Sequence, residues 1–114
     1  MPTIEQLESL LEKEPEDTFL HFGLAMALRS AGRSDEALAR FERVRSLDAD
    51  YIAAYFQQAQ LEAQLGRTDE ARATLRQGIE RAQATGDDHA RGEMLEYLES
   101  LDSSPPSVSP PAVR

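Results

Sequence analysis

Cysteine is absent from this 114-residue chain, which rules out disulfides and thiolate-held metal and leaves no thiol to pair with a histidine. Long apolar runs are missing as well. The longest lies around Leu24–Leu28, far short of the roughly 20 residues that a membrane span needs. The opening Met-Pro-Thr-Ile-Glu-Gln has neither the basic start nor the apolar stretch of a secretory signal, so a cytoplasmic location and no membrane partner are expected. Positive charge is scarce: 12 basic residues face 21 acidic ones, a formal charge of −9. That field repels phosphate backbones, and nucleic acid is not an expected partner. No glycine-rich phosphate loop and no His-Glu-x-x-His is present. His21 and His89 sit near the starts of separate helical patterns, and His89 beside Asp87 and Asp88 reads as an exposed helix start. Neither catalysis, nor a metal, nor a cofactor is expected.

What is present is a repetition. Displaced by 34 residues, Ala25, Gly32, Arg33, Asp35, Glu36, Ala37 and Ala39 fall on Ala59, Gly66, Arg67, Asp69, Glu70, Ala71 and Ala73. Phe22 falls on Phe56, and Ser34 on Thr68. Such a period, with helical patterning on both sides of a glycine, marks a helix–turn–helix repeat. On these residues the chain resembles the tetratricopeptide repeats. The resemblance implies an all-α fold of about six helices, paired antiparallel and stacked into a right-handed superhelix. For activity it implies a class only, the binding of another polypeptide.

Thr3-Ile4-Glu5-Gln6 has the capping-box form, and Leu7, Leu10 and Leu11 make an apolar stripe that Pro15 ends. A second helix starts at Asp17 or Thr18, carries Leu20, Leu24, Ala27, Leu28 and Ala31 along one side, and stops at Gly32. Ser34 is expected to cap its partner, with Ala37, Phe41 and Val44 facing inward. The second unit repeats this plan over Tyr51–Leu65, the stop at Gly66, an expected cap at Thr68 and a helix to about Ala84. It departs at Gln58 and Glu62, where the first unit has Leu24 and Leu28, and at Gly78, where it has Val44. These sites are expected to be partly wet or loosely stacked, or else tight packing is to offset the cost of about 1 kcal/mol that a helical glycine carries. A last helix runs from Asp87 or Asp88 to about Leu101. The domain thus spans residues 1–102: an N-terminal capping helix in 1–16, repeats over 18–51 and 52–85, and a C-terminal capping helix in 86–102. Residues 103–114, rich in proline and serine, are expected to be disordered. Glu36–Arg40 and Asp69–Arg72 are expected surface ion pairs.

The family resemblance implies that the first helix of each unit lines a concave groove. Its best-described members clamp a terminal carboxylate there, but the matching positions hold Phe22, Met26, Gln57, Asp87 and Arg91, and only Arg91 suits a carboxylate. The groove positions instead read Phe19, Phe22, Met26 and Arg29, then Ala53, Phe56, Gln60 and Ala63, then Ala90, Met94 and Tyr97. This apolar strip is either buried by the terminal helix or open to a partner. The expected function is a scaffold that binds a peptide or protein segment through Phe19, Phe22, Met26, Arg29, Phe56, Gln60, Arg91 and Met94. The alternative is self-association, with the groove consumed in a homodimer.

Overall fold

A computed structural model describes residues 2–103. Six helices follow one another: α1 (Ile4–Lys13), α2 (Thr18–Ser30), α3 (Ser34–Leu47), α4 (Ile52–Gln64), α5 (Thr68–Thr85) and α6 (Asp88–Ser103). No strand occurs among the described residues. Ser103 closes α6, and the rest of the segment expected to be disordered, 104–114, lies outside the described residues. The helices form antiparallel pairs, α2 with α3 and α4 with α5, with α1 against α2 and α6 against α5.

Local chemistry sets the boundaries. Thr3 and Gln6 complete the reciprocal cap of α1, with the Gln6 N–H donating to Thr3 Oγ1 at 3.1 Å and the Thr3 N–H to Gln6 Oε1 at 2.8 Å. Asp17 Oδ1 accepts from the Leu20 N–H at 2.9 Å and caps α2. Helices α2, α4 and α5 stop in the same way. Gly32, Gly66 and Gly86 take φ of 78°, 81° and 77°, where a side chain would be strained. The next residue's N–H then bonds back to a carbonyl five residues earlier, Arg33 to Leu28 at 2.9 Å and Arg67 to Glu62 at 2.8 Å.

Ser34 and Thr68 do not act as caps. The cap positions are Arg33 and Arg67, without a side-chain cap bond, and Ser34 and Thr68 begin the helices themselves. A turn this short makes one residue end the first helix and start the second. Arg33 instead grips Glu36 with two bonds of 2.8 Å, which holds the Glu36 carboxyl below its usual range. The expected Glu36–Arg40 pair is therefore not formed, whereas Arg72 meets Asp69 at 2.7 Å.

Two apolar clusters fill the stack. Leu7, Leu11, Leu24, Ala25, Leu28, Ala37, Phe41 and Val44 join Ala54 and Leu61 in the first. Tyr55, Ala59, Ala71, Leu75, Ala82 and Met94 form the second. The expectation of wet or loose sites in the second unit is corrected. Gln58 and Glu62 are only 2% and 5% exposed, and their polar atoms are bonded. Glu62 accepts from Gln58 Nε2 at 3.1 Å and Thr74 Oγ1 at 2.8 Å, while Gln58 Oε1 accepts from Arg45 Nη1 at 3.0 Å. A buried polar group so satisfied does not carry the penalty of an orphan. At Gly78 the tight-packing alternative holds: a Cβ there would lie 2.6 Å from Tyr55 Cβ and 2.7 Å from Met94 Sδ.

Candidate partner-binding groove

Helices α2, α4 and α6 present one face side by side. Arg29 of α2 donates to Gln57 Oε1 of α4 at 2.6 Å, and Phe56 of α4 meets Tyr97 of α6 edge-on at 5.7 Å. Helix α6 rests mainly on α5 and touches α4 along this edge. It extends the face instead of folding over it, so the strip is not closed by its own terminal helix.

The eight expected residues fare differently. Phe19, in the first turn of α2, is 73% exposed. Phe22 is half-buried, set edge-on to Phe41 at 5.9 Å and tilted against Tyr51 at 5.0 Å. Its ring closes the seam between α2 and the start of α4. Met26 packs half-buried on the first cluster. Arg29 is committed to Gln57, and Gln60 lies half-buried on α4. Arg91 is half-buried, with its Nε shut away from any acceptor. Met94 is the correction: it is fully buried, so it does not present itself to a partner. Its thioether fills the notch that Gly78 leaves beside Tyr55 and so pins α6 to the stack.

A rotation of α6 explains that miss. Positions buried in the first two units, Leu24, Ala25 and Leu28 or Gln58, Ala59 and Glu62, correspond in α6 to Gly92, Glu93 and Glu96, all exposed. Among the described residues no second helix covers that side of α6, and its residues are Gly92, Glu93 and Glu96. Burial moves instead to Met94, with Ala90, Tyr97, Leu98 and Leu101 half-buried around it.

The open space consequently falls between α4 and α6. A depression of about 280 Å³ is floored by Ile52, Phe56 and Ala90 above the buried Met94 and edged by Gln57, Asp87 and Glu93. Of the expected set, Phe56 and Met94 line it. Phe19, Phe22, Met26 and Arg29 stand on the α2 side. Ile52 and Glu93 were missed by sequence reasoning. Ile52 is adjacent to the expected Ala53, whereas nothing in the repeat register marks Glu93, whose counterparts are the buried Ala25 and Ala59.

Among the described residues, no three His, Asp or Glu side chains gather in a way that could hold a metal ion. None of the helices among the described residues is long and apolar enough to cross a membrane.

His21, which sequence reading placed only near a helix start, is buried. Its Nε2 faces the Pro15 carbonyl at 2.8 Å and its Nδ1 faces Arg40 at 3.2 Å. A ring protonated on Nε2 satisfies both contacts, because the guanidinium can only donate. His21 is thus a structural strut between the α1–α2 turn, α2 and α3.

Comparison with known proteins agrees with this architecture. The profile of the tetratricopeptide repeat matches residues 28–92. A TPR repeat-containing protein of Pseudomonas aeruginosa is 31% identical over 99 residues, spanning 87% of this chain and 94% of its own. The solution structure of a tetratricopeptide repeat domain protein from Salinibacter ruber superposes with a TM-score of 0.76 at 32% identity, covering 80% of this chain and 92% of the other. The crystal structure of PcrH in complex with the chaperone-binding region of PopD shares the fold, with a TM-score of 0.81 at 20% identity over 88% of this chain and 76% of that one. Repeat period, paired helices and kinship converge, and the chain belongs to the tetratricopeptide-repeat family.

Proposed function

We propose that this chain is a protein-interaction module that seats an apolar segment of a partner protein in the cleft between α4 and α6. One observation carries the reading: the face shared by the first helices holds an open depression with an apolar floor, and Phe56 is only half-buried in it. Large aromatics in such partly desolvated settings dominate many interfaces. The likeness to PcrH, which was crystallised with a segment of PopD, supports the same use of the fold. The expected set holds both Phe22 and Phe56; it is narrowed here to Phe56, which lines the depression, whereas Phe22 packs on Phe41 and Tyr51.

Selection of peptides from a displayed random library on the immobilised full chain tests this. Selected sequences should carry apolar residues at helical spacing. They should lose binding to a Phe56→Ala variant whose far-UV circular dichroism is unchanged. Peptides that bind the variant as well as the parent would retire the cleft.

A further inference from the structure

The ionisable residues at the edge of the cleft share one sign. Asp87 and Glu93 are both exposed, and no basic side chain lines the depression. Both line the depression: they flank Ala90 three residues to either side, hence about 60° to either side of it around the helix axis, their backbones about 9 Å apart along it. Asp87 also accepts the Ala90 N–H at 3.1 Å, so its carboxylate is held in place by the helix start it caps. Glu93 faces His89 Nε2 at 3.6 Å, itself largely exposed. Of the two cations expected on this face, Arg29 lies on the α2 side and is directed at Gln57, and Arg91, half-buried on α6, does not line the depression. The whole chain adds its charge of −9 to the same field.

We propose that the partner segment is cationic as well as apolar: an amphipathic helix whose apolar side chains enter between Phe56 and Ala90 and whose Lys or Arg side chains meet Asp87 and Glu93. This rests on the cleft reading above. Two rim carboxylates about 9 Å apart along α6 match two cations one to two turns apart on the partner. They steer such a segment in and turn an acidic one away, because like charges brought together at a contact are costly. A terminal carboxylate is the wrong ligand for this cleft, since its rim offers Gln57 and two carboxylates and no cation.

The test uses two synthetic amphipathic peptides with the same leucine face, one with lysine and one with glutamate on the polar face. Binding to the full chain is read by fluorescence anisotropy at low and high salt. The lysine peptide should bind, weaken with salt, and lose about tenfold in affinity when Asp87→Asn and Glu93→Gln are combined. Asn at 87 retains the helix cap. A control with the same charge change elsewhere, Glu42→Gln with Glu80→Gln on the exposed sides of α3 and α5, should stay within about twofold. Equal losses in both double variants, equal binding of the glutamate peptide, or no binding of the lysine peptide would each overturn the proposal. Phe56→Ala separates the two levels. If binding of either peptide depends on Phe56 but not on the rim, only the cationic requirement fails. If no binding depends on Phe56, the cleft itself fails.

Discussion

Replacing Gly78 by alanine sets two effects of known size against each other. In a helix interior, alanine is favoured over glycine by about 1 kcal/mol. The new Cβ, however, would sit 2.6 Å from Tyr55 Cβ and 2.7 Å from Met94 Sδ, where ordinary contacts begin at 3.4 Å. Met94 can turn its thioether aside. Tyr55 Cβ cannot move without its backbone, so α4 and α5 must part by several tenths of an ångström. Overpacking of this kind costs about 1–3 kcal/mol. The net expectation is a loss of up to about 2 kcal/mol, or roughly 4–8 °C in melting temperature for each kcal/mol. Gly92 supplies the matched control. It also lies inside a helix, α6, but its Cβ would meet nothing within 4 Å. Gly92→Ala should therefore stabilise by about 0.5–1 kcal/mol. Urea titrations followed by far-UV circular dichroism would measure both. If Gly78→Ala proved as stable as Gly92→Ala, the close approach of α4, α5 and α6 at Gly78 would be wrong. The role given to Met94 would fall with it.

Other outcomes follow from the same contacts. Gln58→Ala should cost about 1–3 kcal/mol in chemical denaturation, because Glu62 and Arg45 each lose a partner; replacing Gln58 and Glu62 by leucine together with Thr74 by valine should cost less than that single change, because no buried carboxylate or hydroxyl is then left unpaired. Burial, with Asp48 and Asp17 nearby, pushes the Tyr51 hydroxyl above its ordinary value, which is about 10. A raised value in the folded state means that this contribution is whole below the unfolded-chain value and is lost as pH rises through the folded one. Thermal melts on the alkaline side should therefore decline less steeply in Tyr51→Phe than in the parent, and identical slopes would refute the assignment. Sedimentation equilibrium at low salt should return a monomer, since a net charge of −9 and an acidic cleft edge set two copies against each other; a stable dimer that Phe56→Ala dissolves would favour the self-associating alternative.

The sequence by itself determined the elements and their order. The 34-residue repetition gave the helix pairs, and the glycines at 32, 66 and 86 gave the stops, because only glycine takes the left-handed turn without strain. Thr3, Asp17 and the stripe through Leu24, Leu28, Phe41 and Val44 were legible for the same reason: caps and apolar periodicity act within a few residues of chain. The tertiary structure decided how the last helix is set. Register carried over from the first two units placed Met94 in the groove, yet α6 turns so that Met94 enters the space left by a missing side chain on α5. Periodicity fixes which residues share a helix face. The rotation of that face against its neighbour depends on side-chain volumes brought together from α4, α5 and α6. Likewise Arg40 reaches His21 from 19 residues away, and Glu62 finds Thr74 across a helix pair. Those partners emerge only when the helices pack, and it is packing that moved the open cleft from the two repeated phenylalanines to the ground between Phe56, Asp87 and Glu93.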